Sequence, residues 1–599
     1  AWLAGQAGDA PLTDLPSPLN PSLFKRLAER GWAEVYEEEV WRDPLAGRAF
    51  AADAPPTLTA DQAQAWAAIT ASLAARADSP PVFLLHGVTG SGKTELYLRA
   101  LQQVVAGGGQ GIVLVPEISL TPQTVRRFAA RFPGRVAMVH SKLSEGERYD
   151  TWQRAQAGAF DVVIGSRSAL FTPFPRIGVI IVDEEHEAAY KQERTPRYHA
   201  RDAAITLARL CGAVTLLGSA TPSLESMFQA RRGVYHLLDL PRRVQGHMPA
   251  SAAGPVLLDL PPVQIVDMRQ ELRAGNRSMF SRRLRQQLAQ TLQRGEQAIL
   301  FLNRRGSASY VFCRDEGHVL HCPRCAAPLT FHQGGALICH QCNYRQAMPR
   351  ACPKCGSLRF REFGAGTQSV IDALAAEFPT ATPLRWDRDA TGGKSSHEAI
   401  LQDFIDQKAN VLVGTQMIAK GLDLPLVTLV GVLSADVGLF LPDFRAGERV
   451  FQVLTQVAGR AGRSARGGEV IFQTYQPQHP AILAASGHDY EAFYRAEMHF
   501  RQEHGYPPYH RLTRLLFSDS NRERCQQETA QVAARLQQRA AALGWEGFSL
   551  IGPAPAFFSK VRGQLRWHLL FRAADPGLLL AGVPLSPQWR IDVDPVDTL

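Results

Sequence analysis

The chain has 599 residues, too many for one hydrophobic core, and at roughly 100–200 residues per domain it predicts three to five domains. Its apolar fraction of 45% and charged fraction of 20% are those of a globular protein, and no apolar run reaches the roughly 18 residues of a membrane-spanning helix, which excludes an integral membrane protein. The net charge of +9 suits an acidic partner such as nucleic acid, although solvated surface lysines and arginines give the same balance. Because the first residues show no secretion signal, we expect a cytoplasmic protein.

Residues 1–50 predict part of a small domain and a linker. Leu23, Leu27 and Trp32 lie at helical spacing, and residues 33–36 predict a strand after that helix. A helix followed by a strand of this size is typical of a partial winged-helix domain.

Two blocks of alternating strands and helices follow, in residues 51–245 and in residues 246–306 with 357–475. Short apolar runs predict the strands of the first block: Val82–Leu85, Ile112–Val115, Val162–Ile164, Val179–Val182 and Val214–Leu217. Similar runs predict those of the second block: Ala298–Leu302, Val411–Val413, Val427–Leu433 and Glu469–Gln473. The alternation predicts an α/β fold with two parallel, helix-covered sheets. Residues 307–356 form a Cys-rich insertion, and residues 476–599 predict a separate α+β C-terminal domain.

A phosphate-binding loop is predicted between the first strand and the helix Glu95–Val105, because the intervening residues match GxxxxGK[ST]. Glycines there let backbone N–H groups turn around phosphate oxygens, and the helix points its positive end at the same anion. Lys93 is expected to neutralise the β- and γ-phosphates of ATP, and Thr94 to hold Mg²⁺. The predicted nucleotide contacts are Gly87, Val88, Thr89, Gly90, Ser91, Gly92, Lys93 and Thr94.

A pair of carboxylates follows the predicted strand Val179–Val182 directly. Carboxylates at the end of a buried strand lose hydration free energy unless a cation compensates their charge. Asp183 is therefore expected to position the water shell of Mg²⁺, and Glu184 to orient and deprotonate the attacking water. A solvated acidic loop is the alternative for this segment taken alone.

Seven of the nine cysteines lie between Cys313 and Cys355. In a large chain without a secretion signal, such clustering predicts metal ligands rather than disulfides. The pairs Cys322-x-x-Cys325 and Cys339-x-x-Cys342, with 13 residues between them, have the spacing of a tetrahedral zinc site. A further pair follows at Cys352 and Cys355.

Further segments make the chain resemble a superfamily 2 helicase of the DExH type. They are, in chain order, Gly165–Ala169, Gly218–Pro222, Gly414–Met417 with Lys420 and Gly421, and Gln456–Arg463. The Cys-rich insertion, Tyr198–Asp202 and Gly552–Pro555 narrow the resemblance to PriA, the bacterial family of primosomal replication-restart helicases.

This resemblance implies two RecA-like lobes with ATP between them, a zinc ribbon and a C-terminal domain that binds DNA and protein partners. It implies ATP-driven unwinding of DNA from 3′ to 5′ at stalled forks, by a monomer. The implied partners are forked and single-stranded DNA, single-stranded-DNA-binding protein, other primosome proteins and the loader of the replicative helicase. Arg460 and Arg463 would act as arginine fingers from the second lobe, and ATP, Mg²⁺ and Zn²⁺ are the expected cofactors.

Gln62 allows two interpretations. With Thr59 it fits a capping box at a helix start, and the resemblance adds adenine recognition.

The family pattern also implies a second zinc, shared by the outermost cysteine pairs. Here Glu316 stands where the family has the second Cys, which leaves Cys313, Cys352 and Cys355. Glu316 or Asp315 is our hypothesis for an oxygen ligand and His318 a further candidate, so that the outer site is full, weakened or absent.

The resemblance places DNA contacts in a loop with Tyr190, Arg197 and Tyr198, and in the tail with Lys560, Arg566 and Trp567. Tyrosine faces stack on bases while Arg and Lys hold phosphates. For both segments ordinary packing is the alternative.

Two other functions compete with a DNA helicase. One is a fork-binding scaffold for the primosome with a weak or uncoupled ATPase, against which the intact Lys93, Asp183, Glu184 and Arg463 argue. The other is an RNA helicase, which the zinc insertion and the tail oppose.

Overall fold

The computed structural model describes most of the chain. The described residues are 20–36, 41–42, 44–45, 54–75, 79–117, 120–245, 255–303, 309–324, 328–332, 336–340, 343–362, 366–387, 396–415, 418, 424, 426–462, 466–545 and 548–598. None of the helices within these ranges has the length and apolar character to cross a membrane.

The first described element is helix α1 (Pro21–Glu29). Asn20 starts it by accepting a hydrogen bond from the backbone N–H of Leu23 at 3.0 Å. The predicted strand at residues 33–36 is wrong, because these residues follow an irregular path and the side chains of Val35 and Tyr36 are exposed. A strand at this place would need the remaining strands of a wing beside it.

The first lobe is a seven-stranded sheet in which every neighbouring pair is parallel. Its strands are β1 (Val82–Gly87), β2 (Gln110–Leu114), β3 (Val136–Val139), β4 (Val162–Gly165), β5 (Ile177–Asp183), β6 (Val214–Ser219) and β7 (His236–Leu240). Its helices are α2 (Ala60–Ala75), α3 (Lys93–Ala106), α4 (Pro122–Arg131), α5 (Glu145–Gln156), α6 (Ala200–Cys211) and α7 (Leu224–Arg231). The strand order β3-β4-β2-β5-β6-β1-β7 puts β1 and β5 on either side of β6. The carboxyl ends of these three strands therefore meet at one edge, where parallel sheets bind ligands.

A short antiparallel ladder, β8 (Arg243–Val244) with β9 (Leu257–Leu258), lies on the connection to the second lobe. That lobe begins with β10 (Val263–Asp267), α8 (Met268–Arg273), α9 (Arg282–Gln293) and β11 (Gln297–Leu302).

The chain then forms a five-stranded antiparallel ribbon. Its strands are β12 (Ser309–Cys313), β13 (Thr330–His332), β14 (Ala336–Ile338), β15 (Arg345–Ala347) and β16 (Phe360–Glu362). Because β16 pairs with β12, the insertion extends to residue 362 rather than ending at 356 as expected.

The second lobe resumes after the ribbon and completes a six-stranded parallel sheet of order β10-β20-β19-β11-β18-β17. The returning elements are α10 (Thr367–Glu377), β17 (Pro383–Trp386), α11 (Ser396–Ile405), β18 (Val411–Gly414), β19 (Val427–Ser434), α12 (Ala446–Ala458), β20 (Glu469–Thr474), α13 (Pro480–Ser486) and α14 (Tyr490–Glu503). The apolar runs that predicted strands in both lobes are all strands, and most of their side chains are fully buried. Both predicted parallel sheets are thus confirmed.

The C-terminal domain is a four-stranded antiparallel sheet with α15 packed on it. Its elements are β21 (Arg511–Asp519), α15 (Arg522–Ala542), β22 (Ser549–Val561), β23 (Gln564–Ala573), α16 (Pro576–Leu580) and β24 (Trp589–Val593). The expected boundary at residue 476 is too early, because Ile482 and Phe493 of α13 and α14 belong to the core of the lobes.

A cluster of buried charges holds the two lobes together. Arg501 of α14 is fully buried, and its guanidinium lies 2.6 Å from a carboxylate oxygen of Glu448 in the second lobe and 3.1 Å from one of Glu225 in the first. Arg445 contacts the same two carboxylates, and Glu448 also accepts the backbone N–H of Leu224 at 3.0 Å. Burial raises the pKa of Glu448, but Arg501 and Arg445 outweigh burial and hold that pKa at about 2. The cluster is therefore charged at neutral pH and spans the interface between the lobes.

We expect Arg501→Met to lower stability strongly, because the buried Glu448 would lose its nearest cation and Glu225 one of its two. Loss of one partner of a buried pair costs about 3–5 kcal/mol. Urea unfolding followed by intrinsic fluorescence measures the change. The matched control is Arg495→Met on the same helix, whose side chain is 71% exposed. Equal effects of the two substitutions would contradict a stabilising role of the cluster.

Candidate active site and metal centre

The phosphate loop has the predicted position between β1 and α3. Gly90 and Gly92 have φ of +86° and +82°, a left-handed conformation that favours glycine. Lys93 is the first residue of α3 and is only 9% exposed. Its ammonium group donates to the carbonyl of Gly87 at 2.6 Å, so the loop holds the lysine at its centre.

Gln62 closes a capping box and also holds the loop. Its side-chain oxygen accepts the backbone N–H of Thr59 at 2.9 Å, and its own N–H donates to the Thr59 hydroxyl at 3.2 Å. The amide nitrogen of Gln62 donates to the carbonyl of Ser91 at 2.8 Å. Capping is thus confirmed, while adenine recognition stays a prediction.

Asp183 ends β5 beside the phosphate loop, and the Tyr97 hydroxyl donates to its carboxylate at 3.0 Å. Burial first and the charge of Glu184 second raise the pKa of Asp183 to about 6, against the lowering effects of Lys93 and Tyr97. Glu184 has a φ of +49°, a left-handed backbone that is uncommon outside glycine and typical of functional turns. A half-buried carboxylate with a shifted pKa next to a lysine is typical of a functional site, and in its ionised form it would hold Mg²⁺.

Tyr97 is a site residue that our sequence analysis missed. It lies four residues after Lys93, on the same face of α3, and this spacing is the signal that identifies it. The chain leaves room for its hydroxyl at Gly218, where a Cβ atom would lie 1.6 Å from that oxygen. Tyr97 therefore links the end of β6 to Asp183.

The second lobe reaches this site through the end of α12. His186, three residues after Asp183, contacts the Ser219 hydroxyl at 2.7 Å through Nδ1 and the Gln456 amide at 3.0 Å through Nε2. Gly459 lies so close that a Cβ atom there would be 2.8 Å from Thr89 of the phosphate loop. Arg460 follows and is buried. Arg463 and residues 416–417 and 420–421 lie outside the described residues.

The predicted DNA contact Tyr190 is wrong. Its ring is buried in the core of the first lobe, and its hydroxyl donates to the carbonyls of Asp183 at 2.6 Å and Leu114 at 3.0 Å. A ring held in this way cannot stack on a base. Tyr198 is half-buried with its edge toward Phe171, and Arg197 donates to the carbonyls of Glu193 and Ile591.

In the tail, the predicted DNA contact of Trp567 is also wrong, because its side chain is buried in the core of the C-terminal domain. Lys560 is exposed and Arg566 is half-buried. Burial lowers the pKa of Arg566, and Arg590 lowers it further. Lys560 and Arg566 thus remain predicted DNA contacts.

The ribbon brings together the cysteines of the outer zinc site. The sulfur atoms of Cys313, Cys352 and Cys355 lie within 4.8 Å of one another, and those of Cys313 and Cys355 are 3.5 Å apart. Tetrahedral zinc with Zn–S bonds of about 2.3 Å needs sulfurs roughly 3.8 Å apart. These three residues therefore fit a zinc ion with one further ligand.

The acidic residues proposed as that ligand are turned to other partners. Glu316 binds Arg273 at 2.5 Å, and the carboxylate of Asp315 binds Ser357 at 2.5 Å and Arg359 at 3.2 Å. In the described part of the ribbon, neither joins the sulfur cluster. His318 is likewise outside this cluster, so the fourth ligand of the outer site stays a prediction.

Of the inner zinc site, Cys322 and Cys339 are buried in the ribbon core. Cys325 and Cys342 lie outside the described residues, so the geometry of this site stays a prediction. The ribbon also contacts the C-terminal domain: His568 donates to the carbonyl of His340 at 2.8 Å, and His340 to that of Pro555 at 3.3 Å.

The two parallel sheets, with a phosphate loop on one and an arginine-bearing helix end on the other, define a helicase. Four family models match in agreement with this architecture. They are the DEAD/DEAH box helicase (residues 59–229), the helicase conserved C-terminal domain (389–465), the PriA DNA helicase Cys-rich region (322–346) and the primosomal protein N C-terminal domain (502–596).

Curated relatives identify the family. The chain is 46% identical to "Replication restart protein PriA" of Bacillus subtilis, over 92% of this chain and 66% of that protein. It is 43% identical to the protein of the same name from Synechocystis, over 99% of this chain and 71% of that protein. It is 40% identical to the one from Treponema pallidum, over 90% of this chain and 80% of that protein. The chain belongs to the PriA family. It spans about two thirds of the length of the B. subtilis relative.

We expect Mg²⁺-dependent nucleotide binding to weaken as the pH falls through about 6, because a proton then occupies Asp183. The loss is about tenfold for each pH unit below the pKa of that carboxyl group. Tyr97→Phe removes a hydrogen bond that lowers this pKa, so the loss begins at a higher pH. Titration with a fluorescent ATP analogue at fixed Mg²⁺ measures both.

The exposed Tyr149→Phe is the matched control, and comparison among variants cancels the titration of the nucleotide itself. Superimposable pH profiles for the Tyr97 and Tyr149 variants would contradict the role of Tyr97.

We expect Cys352→Ser to lower the zinc content by about one ion per chain, because one of three clustered thiolates is lost. Glu316→Gln should leave the content unchanged, since Glu316 is paired with Arg273. Atomic emission on dialysed protein measures both variants. If Glu316→Gln loses as much zinc as Cys352→Ser, the result would support Glu316 as the fourth zinc ligand.

Proposed function

We propose that this chain is an ATP-driven DNA helicase that moves from 3′ to 5′ on forked DNA and starts primosome assembly in replication restart. The observation that carries the proposal is the direct contact between the lobes at the nucleotide site. His186 of the first lobe binds Gln456 of the second, beside Lys93, Asp183 and the buried Arg460. Such a site senses the position of one lobe relative to the other.

The residues of the site divide the chemistry of hydrolysis among them. Lys93 and the N–H groups of the loop bind the phosphates of ATP, and hydrolysis of ATP supplies the free energy for movement. Thr94 and Asp183 would hold Mg²⁺, which would neutralise charge on the phosphates, and Glu184 would accept the proton of the attacking water. Arg460, with Arg463 beyond the described residues, adds positive charge from the second lobe only when the cleft is closed.

A series of contacts joins the phosphate-binding site to the second lobe. His186 contacts Ser219 at the end of β6, and three residues later the carbonyl of Pro222 accepts the hydroxyl of Tyr490 at 2.9 Å. Tyr490 starts α14, whose Arg501 belongs to the interlobe charge cluster. A change at the phosphates therefore has a path of packed, hydrogen-bonded groups to the second lobe, and such closing motions drive the grip on DNA.

We infer the DNA and protein partners from similarity to the relatives, which are replication restart proteins by name. We propose that Arg197, Tyr198, Lys560 and Arg566 contact forked or single-stranded DNA. The proposed protein partners are single-stranded-DNA-binding protein, primosome proteins and the loader of the replicative helicase. The place of action would be the bacterial cytoplasm, at the nucleoid.

A fork-binding scaffold with an uncoupled ATPase is not favoured. A scaffold has no need for a carboxylate whose pKa is raised beside a buried lysine, or for a histidine that joins the two lobes. RNA as the substrate finds no specific support in the geometry.

We expect forked DNA to stimulate ATP hydrolysis by this chain, and Lys93→Ala to reduce it by about 100-fold or more because phosphate neutralisation is lost. A coupled assay with and without forked DNA measures the rate. The matched control is the exposed Lys408→Ala in the second lobe. Fork binding without DNA-stimulated hydrolysis, in a folded and zinc-loaded sample, would leave the scaffold as the function.

A further inference from the structure

Arg243 lies on the connection between the lobes, outside every motif described above. It is the first residue of β8, three residues after the last strand of the first lobe, and its side chain is fully buried. The guanidinium group donates to four backbone carbonyls. Three follow the last residue of α12, namely Gly459 at 2.8 Å, Ala461 at 3.0 Å and Gly462 at 3.1 Å, and the fourth is Thr89 of the phosphate loop at 3.2 Å.

Gly459 caps the carboxyl end of α12, where a helix leaves carbonyls without intrahelical partners, and Ala461 and Gly462 follow in the turn after it. These carbonyls carry partial negative charge, so a cation from the first lobe stabilises this end of the second-lobe helix. The guanidinium group is planar and presents five N–H donors in a fixed fork, which matches several carbonyls at once. A lysine would keep the charge but lose this geometry.

Backbone hydrogen bonds next to Arg243 also join this segment to the phosphate loop. The N–H of Val244 donates to the carbonyl of Gly90 at 2.9 Å, and that of Val88 donates to Leu240 at 3.1 Å. A Cβ atom on Gly90 would lie 3.2 Å from Cγ of Arg243. The linker therefore leaves the first lobe along the phosphate loop before it reaches the second.

We propose that Arg243 is a positioning residue for ATP hydrolysis. It sets the separation between the tip of the phosphate loop and the Gly459–Gly462 segment, and thereby places Arg460 over the phosphates. Because Arg243 lies where the linker begins, its contacts change least when the lobes rotate and act as a pivot. This inference rests on the proposed ATPase, but its structural part is testable without activity.

Arg243→Lys should lower kcat of DNA-stimulated ATP hydrolysis by about 10–100-fold while KM for ATP changes by less than about threefold, because positioning is lost and nucleotide binding is kept. Hydrogen exchange in the peptide that covers the last turn of α12 should rise in the same variant. The matched control is Arg242→Lys, whose side chain is half exposed and paired with Asp61 at 2.9 Å. It should alter neither quantity.

Three results would overturn the proposal. They are an unchanged kcat in Arg243→Lys with only a lower melting temperature, a rise in KM with kcat retained, and unaltered hydrogen exchange at α12. If the unsubstituted chain itself shows no hydrolysis, the proposed function fails. Hydrogen exchange then decides on its own, because increased exchange in Arg243→Lys but not in Arg242→Lys still supports Arg243 as the pivot.

Discussion

A guanidinium group removed from water must be compensated at short range, and Arg501 meets this requirement with carboxylates from both lobes. Glu225 comes from the helix after β6 and Glu448 from the helix that leads to Arg460. The same contacts that neutralise Arg501 therefore join the start of the helix after β6 to the start of α12. The relation between the two sheets, and with it the composition of the nucleotide cleft, depends on this cluster.

Sequence alone predicts the parts of the fold that depend on short-range patterns. Val179–Val182 is a fully buried apolar run and had to be a strand, and the loop before Lys93 needs glycines wherever it occurs. The edge strands β3, β7, β10 and β17 escaped prediction because they are short and, in part, only half-buried. Tyr190 and Trp567 were misplaced because burial of an aromatic ring depends on elements far away in the chain, and an aromatic residue beside a cation has the same local pattern at a surface and in a core.

In the ribbon, too, local sequence patterns predict some features, while others depend on residues far away in the chain. Spacing identifies its cysteines, but the partners of Glu316 and Asp315 come from Arg273 and Arg359, which no local pattern connects to them. The contact of His340 with His568 joins the ribbon to the C-terminal domain, and burial first and Arg514 second lower the pKa of His568 to about 3. The imidazole of His568 is therefore uncharged between pH 5 and 8, and its hydrogen bond to the carbonyl of His340 does not depend on a change of its charge in that range.

The close approach of Gly218 to Tyr97 restricts how this family of sequences can diverge. Any side chain at position 218 would occupy the place of the tyrosine hydroxyl, and a smaller residue at position 97 would leave a void next to Asp183. Neither position can drift alone without a loss in fitness. The pair is thus expected to change together or not at all, so a homologue that has lost the glycine should also have replaced the tyrosine and have another hydrogen-bond donor to the aspartate at position 183.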